Sequence, residues 1–328
     1  MNGKEIFSKS HIKFHLNKLY NHGLKQKEPY WNFGYPVFTS MFPSLRTGLM
    51  YLVAPENVGK SMLQINLGMG ALLTDPNVYW LDFSLDDTLE DRKSYLLARF
   101  GGLPINLVKQ TMNATDEELA IREAAFINFG ENYSDRYRDF GISSLVQDEE
   151  LRITAETVSD LVAEARAQIG PTAKLLVSID SFHDLAICEK VYDDNEKLAR
   201  KSSILKASST VSDCLYILTA HSRKGSRGRD VTLDALKGTV DTGYDAKVAL
   251  HIYSDVHANY GNASIFWTDL DNPLRKLPVH EVRIIKNKAG SARTILFFNY
   301  LPDNCVDFEV DEEQQKLYRE CVFSKGSD

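Results

Sequence analysis

The 328-residue sequence has only four cysteines, Cys188, Cys214, Cys305 and Cys321, scattered and without a CxxC pair. That excludes a paired-cysteine zinc site or a disulfide framework and suits a reducing compartment, the cytoplasm of a bacterial or phage-infected cell. No run approaches the ~18 apolar residues that a membrane span needs. The N-terminal MNGKEIFSKSHIKFH lacks the apolar block of a signal peptide. A basic excess is also missing. The formal net charge of −7 argues against a protein coated with cations for nucleic acid. A local basic channel remains open, because net charge does not say where charges sit. Internal repeats and low-complexity tracts are absent. The remainder is ordinary for a globular protein, 43% apolar and 25% charged, with length for one or two domains.

Against this plain background one segment stands out. Ala54-Pro55-Glu56-Asn57-Val58-Gly59-Lys60-Ser61 follows the apolar run Leu49-Met50-Tyr51-Leu52-Val53. A buried strand, a tight loop ending in Gly-Lys-Ser and then a helix read as a phosphate-binding loop with its first glycine replaced by alanine. Loop N–H groups and the positive helix N-terminus cradle phosphates. Lys60 adds a cation for the outer phosphates, and the Ser61 hydroxyl can ligate Mg²⁺. Gly59 lets the backbone approach without a Cβ in the way. The reading is a site for ATP with Mg²⁺.

Residues 1–35 read as a short N-terminal helix and a linker, KQKEPYWNFGYP. Residues 36–310 form the main domain, and 311–328 a C-terminal tail. From about residue 36, apolar strands alternate with amphipathic helices, which predicts an α/β fold with a largely parallel sheet. The expected strands are Leu49–Val53, Val78–Phe83, Leu175–Ile179, Cys214–Thr219, Lys247–Tyr253, Val282–Ile285 and Thr294–Phe298. Near-continuous apolar strands require cover on both faces. Thr115-Asp116-Glu117-Glu118 is a capping box. Val158, Leu161, Val162, Ala165 and Ile169 fall at helical spacing before Gly170-Pro171. The stretch 128–146 fits no clear element.

In such sheets ligands sit at the carboxyl ends of strands, so polar residues there are the candidates. Asp180 ends Leu-Leu-Val-Ser-Ile-Asp, suited to holding Mg²⁺ through water opposite Ser61; capping the next helix is the alternative. Asp86 could orient and deprotonate an attacking water, with Asp87 the better capping candidate of the two. His221 could sense the outermost phosphate. The loop after it carries Arg223, Lys224, Arg227 and Arg229 among glycines and serines, which suits contacts to a nucleic-acid backbone and equally a solvated charged loop. Lys286-Asn287-Lys288-Ala289-Gly290 forms a basic turn able to reach a nucleotide on an adjacent subunit.

With these residues in order, the chain resembles the helicase domain of DnaB-type replicative helicases, within the RecA-like ATPases, over roughly residues 36–310. The family's Ala-Arg-Pro-Ser-Met-Gly-Lys-Thr loop matches Ala54 at the first glycine. Its Phe-Ser-Leu-Glu-Met looks like Phe83-Ser84-Leu85-Asp86-Asp87, and its Ile-Asp-Tyr-Leu is similar to Ile179-Asp180-Ser181-Phe182. Ser203-Ile204-Leu205-Lys206-Ala207 and Leu218-Thr219-Ala220-His221 look like the segment leading to its sensor glutamine. Gly238-Thr239-Val240-Asp241 resembles its Gly-Ser-Ile-Glu, and Lys286 to Gly290 its Lys-x-Arg-x-Gly finger. The resemblance implies a RecA-like core and a hexameric ring. It also implies ATP sites between subunits with Lys286 and Lys288 acting in trans, single-stranded DNA gripped centrally, and a primase or loader as partner. The departures are Asp86 for the catalytic Glu, His221 for the sensor Gln and Lys288 for the finger Arg. The family's N-terminal primase-binding domain has no counterpart.

Overall fold

The computed structural model describes residues 28–112, 114–141, 153–222, 228–229, 231–232, 240–269, 272–291 and 294–324. The short helix expected near the N-terminus lies outside these residues. One nine-stranded sheet organises the chain. Its strands are β1 (Gly48–Ala54), β2 (Val78–Ser84), β3 (Tyr137–Gly141), β4 (Lys174–Asp180), β5 (Cys214–His221) and β6 (Val248–Tyr253). After a two-stranded ribbon of β7 (Trp267–Thr268) and β8 (Lys276–Leu277) come β9 (Val279–Asn287), β10 (Ile295–Leu301) and β11 (Val306–Glu309). The order across the sheet is β11-β10-β9-β6-β1-β5-β4-β2-β3. The pairs from β3 to β6 are parallel, and β9, β10 and β11 extend the sheet antiparallel beyond β6.

The period-two alternation of β1 shows why both faces are covered. Met50, Leu52 and Ala54 enter one core, with Leu63, Leu67 and Trp80. Leu49, Tyr51 and Val53 enter the other, with Val158, Val162, Leu175 and Val177. The helix Lys60–Thr74 is buried around most of its circumference. It lies between the sheet, the helix Leu89–Gly101 and the segment expected as a linker. In that segment Trp31 and Phe33 are buried, and Phe33 stacks on Trp31 and meets Phe38 edge-on. A Cβ on Gly70 would lie 1.8 Å from the Phe33 carbonyl oxygen, so only glycine admits this segment to the helix surface. Glu309 of β11 then caps the helix Pro36–Ser40, accepting from Val37 and Phe38 N–H at 2.9 and 2.7 Å.

Three other segments differ from expectation. The stretch 128–146 holds the end of the helix Asp116–Tyr133 and the edge strand β3. Its Arg138 and Asp139 mask the strand pattern, because an edge strand is covered on fewer sides. The expected capping box at Thr115 is present. Residues 312–324, expected within a tail, form a helix whose Val322 and Tyr318 pack on Ile295 and Phe297. Its Gln315 is buried and bonds both the N–H and the C=O of Phe297 at 3.0 and 2.9 Å. Among the described residues no helix is long and apolar enough to cross a membrane.

His251 of β6 is fully buried, and neither ring nitrogen has a hydrogen-bond partner among the described residues. Burial, aided by Arg283, lowers its pKa from 6.5 to about 4. The unfolded chain therefore binds a proton between these values that the native state refuses, and stability falls as pH drops through that window. His251→Leu should remove on the order of 2 kcal/mol of the loss between pH 7 and 5. Urea unfolding of both proteins at the two pH values measures it, and parallel losses would refute the assignment.

Candidate functional site

The phosphate loop is built at the carboxyl end of β1. Asn57 and Gly59 adopt left-handed backbone, φ 60° and 98°, which turns the chain sharply into the helix. Gly59 is the helix N-cap and offers no side-chain acceptor, so the first N–H groups point outward unsatisfied. Lys60 is buried, its amine folded back to donate to the carbonyls of Pro55 at 2.6 Å and Ala54 at 3.3 Å. Burial lowers its pKa, against the pull of Asp180, Glu56 and Asp86. A cation held this way, beside open N–H groups, suits an incoming polyanion.

The neighbouring strands bring the other expected residues to the same place. A polar cavity of about 310 Å³ is lined by Glu56, Gly59, Lys60, Ser61, Asp86 and Asp180, and also by Asp87, Tyr95 and His221. Asp180 ends β4 and is almost wholly enclosed. Its Oδ1 accepts from the Thr219 hydroxyl at 2.5 Å, and its Oδ2 from Arg92 at 3.0 Å. Each oxygen keeps a second lone pair, as contact through water requires. Asp86 follows β2, its N–H donating to the Asp180 carbonyl at 3.1 Å. Burial raises the pKa of its carboxyl, and Asp180 and Asp184 add to the rise. His221 ends β5 opposite Ala54, its N–H donating to His183 Nδ1 at 3.3 Å. The helix after Asp86 and Asp87 is capped by Thr88, which accepts from Asp91 N–H at 3.1 Å, so Asp87 is not the cap. A threonine one residue later does the same work.

The remaining expected residues lie elsewhere. Lys286 and Lys288 sit at the far end of β9, where Lys286 pairs with Ala249 at the start of β6. The phosphate loop follows the opposite end of the parallel strands. Lys286 donates to the carbonyls of Gly243 and Tyr244 at 2.5 and 3.0 Å, and Lys288 to Tyr244 at 3.3 Å. Neither lysine lines the cavity of its own chain. Arg223, Lys224 and Arg227 fall outside the described residues. Arg229 grips Glu281 at 2.9 Å and lies 3.3 Å from Asp255, with its guanidinium over the Tyr253 ring.

Arg92 is the residue that pattern reading missed. Fully buried, it forks onto Asp82 at 2.8 and 2.9 Å while reaching Asp180 at 3.0 Å and Gln64 Oε1 at 2.6 Å. Gln64 in turn donates to the carbonyls of Ile179 and Ile217. A signal existed: Asp82 interrupts the apolar strand VYWLDFS, and a carboxylate buried there needs a cation.

The donor set accommodates Mg²⁺ bridging to phosphates and does not form a cage. Among the described residues no three His, Cys, Asp or Glu side chains could hold a metal by themselves. Magnesium is commonly bound by one or two carboxylates together with substrate phosphates. Ser61 and Asp180, facing one cavity, meet that requirement.

No protein-family model matches the chain, and no curated protein matches its sequence. Solved structures do match. The chain superposes on the isolated ATPase domain of a DnaB-like helicase with a TM-score of 0.77 at 13% identity, over 92% of this chain and 99% of that one. The fold is that of a DnaB-like helicase ATPase domain. A DnaB-like replicative helicase, solved to examine its interactions with primase, gives a TM-score of 0.76 at 13% identity. That match covers 90% of this chain and 68% of the helicase. The sheet order and the loop after β1 therefore sit within a RecA-like ATPase fold despite the low identity.

Removing Arg92 would leave Asp82 and Asp180 buried without their cation. Arg92→Met should destabilise the protein by about 3–5 kcal/mol. Arg92→Lys should recover only part, because an ammonium cannot fork between two carboxylates. Chemical denaturation of the three proteins reads both effects, and a loss under about 1 kcal/mol for the methionine variant would refute the role.

Proposed function

We propose that the chain is an ATP-hydrolysing motor of the DnaB kind, ring-forming and acting on single-stranded DNA. The observation that carries this is the convergence of Lys60, Ser61, Asp86, Asp180 and His221 on one cavity at the strand ends. Loop N–H groups and Lys60 bind the phosphates of ATP. Ser61 and Asp180 hold Mg²⁺, which neutralises charge on the phosphates when bound. Asp86 orients the attacking water and accepts its proton. His221 senses the outermost phosphate and passes its state to the basic segment beyond, where Arg223, Lys224, Arg227 and Arg229 meet DNA. Residues 36–310 form the motor unit, in a hexamer with Lys286 and Lys288 serving the neighbour's nucleotide. A primase or loader would complete the assembly in the cytoplasm.

A second reading is an assembly ATPase that binds nucleotide and a protein partner without unwinding. It gains support from Arg229, which is held by Glu281 and Asp255 and is less available to DNA.

ATP hydrolysis measured with and without single-stranded DNA, beside the mass of the oligomer, separates the two. The motor predicts a ring whose turnover DNA stimulates severalfold and Lys60→Ala abolishes. Unstimulated turnover favours the assembly ATPase, and unchanged turnover in Lys60→Ala removes the nucleotide site altogether.

The trans role has its own pH dependence. Burial, reinforced by Lys288, lowers the Lys286 pKa to about 8. Its charge is present below that pH and lost above it, so turnover should fall as pH rises through about 8. Lys286→Arg, which stays charged, should keep turnover flat to about pH 9. A pH–rate profile of both proteins tests this, and identical alkaline limbs would count against the lysine.

A further inference from the structure

Directly behind the phosphate loop sits a histidine to which the motor reading gives no task. His280 is the second residue of β9 and is fully buried. Its Nδ1 lies 2.6 Å from Asp307 Oδ1 on β11, and the Tyr300 ring of β10 stacks on it with centroids 4.4 Å apart. Asp307 is fixed in turn, its N–H donating at 3.2 Å to Asn66 Oδ1 on the helix that follows the loop. The imidazole is thus held from three sides. Its second nitrogen faces the loop: a Cβ built on Gly59 would lie 2.6 Å from Nε2. That nitrogen is buried and has no hydrogen-bond partner among the described residues.

The carboxylate of Asp307 can only accept, so Nδ1 carries the hydrogen and Nε2 presents a lone pair toward Gly59. A buried acceptor without a donor is costly. The donors nearest this one in the chain are the first N–H groups of the helix, which have no intrahelical acceptor. We propose that His280 is a positioning residue for nucleotide binding. Held by Asp307, its Nε2 seats Gly59 in the left-handed conformation and accepts the loop N–H that bound phosphates leave unused. The remaining N–H groups are then aimed at the phosphates before they arrive. The arrangement also explains why position 59 tolerates no side chain on two independent grounds, its φ of 98° and the ring beneath it. The inference rests on the reading of the loop as an ATP site.

Calorimetric binding of Mg–ATP to the full chain tests it, with thermal unfolding without nucleotide as a check on folding. His280→Ala should weaken ATP about tenfold, the factor carried by one lost hydrogen bond of this kind. His280→Gln, whose amide reaches the Nε2 position, should recover most of that loss. A purely structural histidine would lower the unfolding temperature and leave the affinity of the folded protein unchanged, which overturns the proposal. Glutamine binding as weakly as alanine also overturns it, because the acceptor would then be irrelevant. Should His280→Ala fail to fold, the nearly isosteric Asp307→Asn loosens the ring in place. It should weaken ATP severalfold, and unchanged affinity would again refute the role. Lys60→Ala distinguishes the levels. Loss of binding in Lys60→Ala with wild-type binding in the His280 variants sinks this inference alone. Retained binding in Lys60→Ala sinks the ATP site and the inference with it.

Discussion

The guanidinium of Arg92 is the interaction on which the site depends. It joins β2 through Asp82, β4 through Asp180 and the helix after the phosphate loop through Gln64. All four side chains are buried. An ion cluster in this setting is a weak source of net stability, since desolvation offsets most of the attraction. Its consequence is geometric. The carboxylate at the end of β4 is fixed relative to the helix carrying Lys60 and Ser61, and Thr219 fixes it from the β5 side. An apolar substitute could fill the space without setting that orientation. Trp80 and Ser178 extend the network into the core, the indole donating to the serine hydroxyl at 2.7 Å and the serine donating to Asp82.

The two halves of the sheet divide the labour. The parallel half places its strand ends around one cavity, as crossover connections require when every strand points the same way. The antiparallel half, β9 to β11, does something different. β9 starts under Gly59 with His280 and reaches Lys286 near its other end. That is ~20 Å of continuous strand. A single rigid element thus touches the phosphate loop at one end and carries the proposed trans cations at the other. Glu281, the next residue, anchors Arg229 on the segment that follows β5. Proposed nucleotide, neighbour and nucleic-acid contacts meet on one strand.

The legible parts of the chain were those whose causes are local. The phosphate loop depends on consecutive residues, and the buried strands on uninterrupted apolar runs, so both could be read directly. The Thr115 capping box spans only a single turn and was equally plain. Edge strands were not: β3 mixes Arg138 and Asp139 with its aromatics because one side has no neighbour. The stretch through Trp31 and Phe33 looked like a linker because Pro and Gly punctuate it. Its aromatic rings belong to the core, and the reason lies at Gly70, far along the chain. Arg92 and His280 were hidden by sequence distance, since their carboxylate partners Asp180 and Asp307 are 88 and 27 residues away. A charge pattern on a helix does not reveal that the helix face is interior.

Binding and turnover are held by different parts of this site. The loop, Lys60 and the support beneath Gly59 are built into the core and constrained by buried partners. Asp86 is more exposed, one methylene shorter than a glutamate, and carries a carboxyl whose pKa burial and Asp180 push upward. A base that is short and harder to ionise reaches and activates a water less readily than a longer, fully charged one. Tight nucleotide binding with slow hydrolysis follows from that arrangement without any defect in the loop. In an assembly such a balance lengthens the nucleotide-bound state, during which a partner or a strand is held. The alanine at position 54 bears on neither property, because its side chain is buried inside the sheet and away from the cavity. The chemistry that sets the rate lies at the ends of β2 and β5, in Asp86 and His221.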